Sequence, residues 1–355
     1  MKICYLTYDL DPKAGWGRFS SDLIYGIKRA GCEVLILKER DDGVEGIPIL
    51  KRRLGIISSA ARIRKHLKNC DVIHALDGYP YGVMAVLANL GLGKKLIISG
   101  IGSFSVAPLS NWKTTKLLKL AYKKANFIAC ISHYTKNEIL KKIKLNNIEV
   151  INPGINFKKF YRPPVPSFKE QENFILSVGA LKYRKGYHIS IPAFKNVLWK
   201  FPDFKYYIVG NQDGGKYFTY LKKIITELNL QEKVIFIDGI TDEELINLYQ
   251  KAKVFVLTPI SEASYFEGFG LVYLEANACG LPAVGTKDCG AEDAIKDNET
   301  GFLVPQKDRE ATSQAIIKLL GNQELWQKFS KNGIQWAESH DWSKITPKYL
   351  EIYKK

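Results

Sequence analysis

The chain has 355 residues, 46% apolar and 25% charged, with a formal net charge of +16. That length favours two domains, and that composition excludes a disordered or fibrous chain. No apolar run reaches the roughly 18 residues that span a bilayer, and the opening MKICYLTYDL reads as a strand and not as a signal peptide, so a cytoplasmic protein is expected. The six cysteines contain no C-x-x-C pair and sit mostly in apolar runs, which predicts buried free thiols. The five histidines lack metal-ligand spacing, and no metal site is expected.

The charge is unevenly placed. Residues 1–165 hold 28 Lys and Arg against 12 Asp and Glu, whereas residues 166–355 hold 24 of each. So complete an asymmetry implies that the front half meets something anionic.

Taken in order, the pattern alternates. Strands are predicted at Lys2–Thr7, Glu33–Leu37, Val72–Ala75, Lys95–Ser99, Phe127–Ile131 and Ile148–Ile151. Between them lie predicted helices at Phe19–Ala30, Ser58–Leu67, Tyr81–Leu90, Thr114–Lys124 and Tyr134–Ile143. Such alternation predicts a parallel sheet covered by helices on both faces. Asn152-Pro153-Gly154 and Pro163-Pro164-Val165-Pro166 then form a proline-rich linker, placing a domain boundary at 165/166. The alternation restarts with predicted strands at Phe174–Val178, Tyr206–Val209, Val234–Ile237 and Val254–Leu257. Predicted helices at Ile189–Lys200, Tyr217–Leu228 and Asp242–Lys251 separate them. Two doubly wound domains, 1–165 and 166–340, are expected to leave a ligand cleft between their strand ends.

The most informative stretch is Phe266 to Thr286. A tight Glu267-Gly268-Phe269-Gly270 loop leads into a helical pattern, Leu271 to Cys279, which Gly280 and Pro282 end. Glu275 lies among apolar helix neighbours, Leu271, Val272, Ala278 and Cys279. A carboxylate there costs several kcal/mol, on the order of the buried-polar penalty, unless a partner meets it. The amides of Gly268, Phe269 and Gly270 at a helix N-terminus suit an anion. Two carboxylates for sugar hydroxyls and a loop for phosphates together ask for a nucleotide-sugar. The plainer alternative makes Glu275 a structural cap and Glu267 a solvated loop residue.

Other stretches add to this. Ser177 to Gly186 follows the first strand of the second half and carries Arg184 and Lys185, cations suited to a leaving diphosphate. Ala14-Gly15-Trp16-Gly17-Arg18-Phe19 is a glycine-rich loop just before the first predicted helix; its Gly15-x-Gly17-x-x-Ser20 spacing looks like a degraded dinucleotide fingerprint without its third glycine, and Gly17 is a candidate phosphate contact. Asp9-Leu10-Asp11 is formally a D-x-D but follows a first strand, which makes it a solvated loop. The predicted helix Thr114–Lys124 carries Lys113, Lys116, Lys119, Lys123 and Lys124 beside Trp112 and leucines, which suits an anionic membrane surface as well as plain solvation. Lys51-Arg52-Arg53 with Arg62, Arg64, Lys65 and Lys68 forms a second basic cluster.

The Glu267-to-Glu275 string resembles the E-x7-E motif of retaining glycosyltransferases, notably glycosyltransferase family 4. The Ser177–Gly186, Cys289–Asp293 and Gly301–Pro305 segments resemble later family segments. Many members carry Arg directly after the glycine where this chain has Ala180, and a donor-contacting His where it reads Ser99-Gly100-Ile101-Gly102. His74 and His133 are the nearby histidines.

The resemblance implies a GT-B fold with its last helix, 341–355, returning to the N-terminal domain. It implies retaining, metal-independent transfer from a UDP-, GDP- or ADP-sugar to a saccharide or lipid-linked acceptor, with the donor in the back domain. It assigns Arg184 and Lys185 to the diphosphate, Glu267 to the sugar, Glu275 to the ribose, and Gly268, Phe269, Gly270 and Gly17 to backbone contacts. No cofactor beyond the donor substrate and no nucleic-acid partner is expected. A peripheral position on the inner face of the membrane, through 112–124, is compatible with it. A Rossmann oxidoreductase and a non-catalytic polyanion-binding protein are the rivals; the first lacks its third glycine, and the second leaves Glu275 unexplained.

Overall fold

The structure is a computed structural model describing residues 1–12, 15–52, 55–163, 165–212 and 215–355. Ala14, Arg53 and Pro164, each part of a stretch singled out above, lie outside the described residues. The chain divides into two compact units, Met1–Gly154 with Asp341–Lys355, and Ile155–His340. The division therefore falls directly after Asn152-Pro153-Gly154 and not at 165/166, because a short helix, Phe157–Phe160, belongs to the second unit.

In the first unit, β1 (Lys2–Thr7), β2 (Glu33–Lys38), β3 (Ile47–Pro48), β4 (Val72–Ala75), β5 (Lys95–Gly100), β6 (Phe127–Cys130) and β7 (Ile148–Val150) form one parallel sheet. Its order is β3-β2-β1-β4-β5-β6-β7. In the second unit, β8 (Phe174–Val178), β9 (Lys205–Val209), β10 (Val234–Ile237), β11 (Val254–Val256), β12 (Ala283–Thr286) and β13 (Gly301–Val304) form another parallel sheet, ordered β10-β9-β8-β11-β12-β13. Strands such as β4 and β8 are buried along their whole length, as parallel strands covered on both faces must be. Each sheet reverses direction once, between β1 and β4 and between β8 and β11, and ligands of doubly wound sheets gather at the strand ends beside that reversal.

Local signals explain the helix limits. Helix Asp242–Lys251 opens with a capping box: Glu244 donates its amide to Thr241 Oγ1 (3.2 Å), and the Thr241 amide donates to Glu244 Oε2 (2.7 Å). Helix Leu271–Ala278 closes with Gly280 at φ 75°, the Leu281 amide reaching the Ala276 carbonyl and the Gly280 amide the Asn277 carbonyl. The first helix begins at Gly15 and not at Phe19, so Gly15 and Gly17 lie in its first turn.

Helix Trp342–Lys354 packs into the first unit by an apolar face of Trp342, Ile345, Tyr349, Ile352 and Tyr353. Its hydroxyl at Tyr353 meets His74 Nδ1 at 2.7 Å and Tyr5 Oη at 2.8 Å, while His74 Nε2 meets Ser99 Oγ at 2.9 Å. His74 is thus a buried tether between β4, β5 and this helix. His133 is exposed at the start of helix His133–Leu140.

Burial pushes the His74 imidazole down to about 3 from its ordinary 6.5. Between those values the unfolded chain binds a proton that the folded chain refuses. Stability is therefore expected to fall as pH drops below about 6.5, by up to about 1.4 kcal/mol per pH unit. His74→Gln should flatten that part of the melting-temperature profile. A variant as acid-sensitive as the wild type would show that His74 is not the group concerned.

Candidate active site

The second unit gathers its charged groups at the carboxyl ends of β8 and β11. After β8 the chain forms a single 3-10 turn, Tyr183–Lys185, presenting Arg184 and Lys185. This turn is clipped to the segment after β11 at two points: the Ile260 amide donates to the Arg184 carbonyl (2.8 Å), and Thr258 Oγ1 donates to the Gly186 carbonyl (2.9 Å). Gly186 has φ 74°, and a Cβ there would run into the Thr258 carbonyl, so no other residue fits this crossing. Tyr187, at the head of the next helix, donates its hydroxyl to the Gly179 carbonyl at 2.7 Å.

Glu267 comes to the same place from the loop before helix Leu271–Ala278. Its Oε2 accepts from Arg184 Nη1 at 3.0 Å and lies 2.6 Å from Lys185 Nζ. The loop is fixed from behind, where the Gly290 amide donates to the Glu267 carbonyl at 2.8 Å. Glu267 is 8% exposed, whereas the Arg184 side chain keeps 33% of its surface. Burial pushes the Glu267 carboxyl up, but Lys185 and Arg184 outweigh it and hold the group below its ordinary range. Burial lowers the Lys185 ammonium; Arg184 adds to this, and Glu267 opposes it. The result is a buried carboxylate bracketed by two cations.

The helix behind this loop has no side-chain cap. Gly270 occupies the cap position at φ 88°, so the first amides of the helix have no intrahelical acceptor. With Arg184 and Lys185 alongside Glu267, the site presents positive groups to an incoming anion.

Glu275 is buried, 2% exposed, and its Oε2 accepts from the Tyr249 hydroxyl at 3.0 Å. The structure thus brings Arg184, Lys185 and Glu267 together and gives Glu275 a contact on helix Asp242–Lys251. Gly17 belongs to the first unit, where a Cβ would lie 2.7 Å from Asp9 Oδ1. An anion at Gly17 would meet that carboxylate, which disfavours a phosphate contact there. Asp9 itself is 2% exposed, which corrects the reading of Asp9-Leu10-Asp11 as a solvated loop; the chain turns inward after β1, and Arg40 Nη1 lies 3.7 Å from Asp9 Oδ2.

Thr258, Tyr187 and Tyr249 were missed from sequence, and Gly290 was noted only as part of the Cys289–Asp293 segment. Thr258 alone carried a usable signal, since it directly follows the apolar run Val254–Leu257 at a strand's carboxyl end. Among the described residues no group of three or more His, Cys, Asp or Glu side chains is placed to hold a metal ion.

Glu267→Ala would leave Lys185 buried beside Arg184 without its counter-charge. The expected cost is about 1–3 kcal/mol, less than for a fully buried pair because Arg184 is partly solvated. Thermal denaturation reads it, and an unchanged melting temperature would mean that the pair is not coupled.

Comparison with known proteins identifies the family and the fold. The family described as "Glycosyl transferases group 1" matches residues 161–336, and "Glycosyltransferase Family 4" matches residues 15–159. The chain is 27% identical over 333 residues to a GDP-mannose-dependent alpha-(1-6)-phosphatidylinositol monomannoside mannosyltransferase of Mycolicibacterium smegmatis, covering 88% of this chain and 85% of that one. It is 26% identical over 316 residues to an uncharacterised glycosyltransferase of Methanocaldococcus jannaschii, covering 88% and 84%. In fold it is similar to Anabaena HepE crystallised with UDP, with a TM-score of 0.84, 19% identity and full coverage of both chains. It is also similar to a glycosyltransferase of Rickettsia africae, with a TM-score of 0.83, 22% identity and coverage of 99% and 98%. With both units matched, each carrying a parallel doubly wound sheet of the GT-B kind, the chain belongs to the family 4 glycosyltransferases and is a glycosyltransferase.

Proposed function

We propose that this enzyme transfers a hexosyl group from a nucleoside-diphosphate sugar to an acceptor hydroxyl, with retention at the anomeric carbon and without a metal ion. The observation that carries this reading is the convergence of Arg184, Lys185 and Glu267 at the head of the uncapped helix Leu271–Ala278. Cleavage of the sugar–phosphate bond moves negative charge onto the leaving diphosphate. Arg184 and Lys185, fixed beforehand, stabilise that charge as it grows, the task a divalent cation performs elsewhere. Glu267 orients those two cations in the free protein and takes the sugar hydroxyls in the complex. Glu275 accepts from the ribose hydroxyls, with the Tyr249 hydroxyl holding its carboxylate in place. UDP or UDP-glucose in the HepE crystals supports a nucleotide-sugar donor of this class. The leaving phosphate serves as the base for the acceptor's proton on the same face, so no further base is required.

The first unit takes the acceptor. It holds 29 Lys and Arg against 14 Asp and Glu, nearly all of the excess charge. Helix Thr115–Lys124 buries Leu118, Ala121 and Tyr122 and exposes Lys116, Leu117, Leu120, Lys123 and Lys124, with Trp112 80% exposed just before it. Among the described residues no helix is long and apolar enough to cross a membrane. This face instead suits the surface of an anionic bilayer, where each basic residue contributes about 1 kcal/mol and the apolar edge adds insertion. A lipid-linked acceptor fits such a position, and the mycobacterial relative is named for one.

The donor is found by melting the protein with UDP, GDP and ADP and then with the matching sugars. Lys185→Ala is expected to lower turnover by about a hundred-fold and donor affinity by much less, since its contact strengthens in the transition state. Equal losses in donor Kd and 1/KM, with kcat intact, would contradict that role.

Vesicle co-sedimentation tests the membrane face. The wild type is expected to sediment with anionic vesicles at low salt, to stay free of neutral ones, and to be released by salt. Reversing the charge of Lys116, Lys123 and Lys124 should release it too. A wild type that stays in the supernatant with anionic vesicles would leave the surface charge to a soluble acidic acceptor.

A further inference from the structure

The 3-10 turn Tyr183–Lys185, which carries the two cations, is only three residues long. Its links to the segment after β11, from Ile260 to the Arg184 carbonyl and from Thr258 to the Gly186 carbonyl, act at its carboxyl end. Its first residue, Tyr183, is 46% exposed. A ring that open to water populates several rotamers unless something holds it. Here His188, in helix Tyr187–Leu198, holds it. The two rings lie face to face, 17° from parallel, with centroids 4.2 Å apart. The Gly186 amide donates to the Tyr183 carbonyl at 3.0 Å, and the Lys185 amide to the Lys182 carbonyl at 2.8 Å. A displacement of Tyr183 is therefore passed straight to the backbone that carries Arg184 and Lys185.

His188 is itself fixed. It is buried, its amide donates to the Tyr217 hydroxyl oxygen at 3.2 Å, and its Nδ1 lies 2.8 Å from the same oxygen. Main chain and side chain of one residue are thus pinned to a single atom on helix Lys216–Glu227, and the imidazole keeps one orientation. The Tyr217 ring meets both partners edge-on, His188 at 5.8 Å and Tyr183 at 5.7 Å, an arrangement that aromatic quadrupoles favour. Burial, with the charges of Arg309 and Lys307, pushes the His188 imidazole down to about 4, so the ring is uncharged at neutral pH. What it supplies to the neighbouring cations is placement and not charge.

Placement matters at this turn. Fixed cations stabilise a leaving group only as well as their position is kept, and a misplacement of about 1 Å costs on the order of a hundred-fold in rate. Backbone bonds anchor one end of the turn, and the ring stack anchors the other.

We propose that Tyr183 and His188 are positioning residues for the transfer: their stack, braced by Tyr217, keeps Arg184 and Lys185 where charge develops on the leaving group. This deepens the proposed function and rests on its assignment of these two cations to the leaving diphosphate. Neither residue touches the reacting atoms; both act through the turn.

The test is steady-state kinetics on the full chain, reading nucleoside diphosphate released from UDP-glucose, GDP-mannose or ADP-glucose, with water or methyl α-D-mannopyranoside as acceptor. Tyr183→Ala is expected to lower kcat about ten-fold. Donor KM should stay within about two-fold, because the affected contact strengthens in the transition state. Tyr183→Phe keeps the ring and is expected to keep the wild-type kcat. His188→Ala should match Tyr183→Ala, and the double variant should be no slower than either, since each loses the same stack. If the buried His188 position does not tolerate alanine, the Ala and Phe variants of the half-exposed Tyr183 decide alone. A wild-type kcat in Tyr183→Ala overturns the proposal, as does a Phe variant as slow as the Ala variant, a loss confined to KM, or losses that add in the double variant. A wild type that cleaves none of the three donors, or a Lys185→Ala variant as fast as the wild type, defeats the proposed function instead, which distinguishes the two failures.

Discussion

A parallel sheet covered by helices on both faces leaves chemistry one kind of place to stand. Its central strands are buried, wholly so in β4 and β8, so polar groups that must meet a ligand are pushed to the loops at the strand ends. Both units obey this constraint. In the second, the turn after β8 and the segment after β11 are bonded to each other through Ile260 and Thr258, and the cations ride on that junction. In the first, Asp9 and Asp77 stand at the ends of β1 and β4.

Within the second unit, the electrostatics and the backbone geometry support each other. Glu267 and Lys185 can lie largely buried near one another, with Arg184 partly solvated beside them, because one carboxylate sits between two cations. The glycine at 186 lets the cation turn approach Thr258, and the Gly290 amide holds the Glu267 loop from behind. Such pre-ordering makes positive charge useful in a transfer reaction, since no reorganisation is needed when charge develops on the leaving group.

Glu275 shows the limits of helix periodicity. Its apolar neighbours marked it as a carboxylate in need of a partner, and the partner recorded at its Oε2 is Tyr249, on a different helix. Sequence spacing identified the residue in question but could not supply the group that meets it. His74 is similar: a histidine at the end of a strand suggested a packed or solvated side chain over a catalytic one, but not what it would pack against. The packing of a helix 279 residues downstream made it a tether.

The sequence by itself determined the alternation of strands and helices, most of their limits, the basic front half and the Glu267–Glu275 spacing with its glycine loop. These are set by neighbours along the chain: apolar period, capping residues and turn formers. The return of helix Trp342–Lys354 was legible only through the family resemblance, together with the apolar face it would need. What the tertiary structure alone decided is which loops meet. Arg184 and Lys185 reach Glu267 across more than 80 residues, and Asp77 meets Ser105 across 28, because β11 lies beside β8 and β5 beside β4. Strand order is a long-range property of the packed sheet, and no local pattern encodes it.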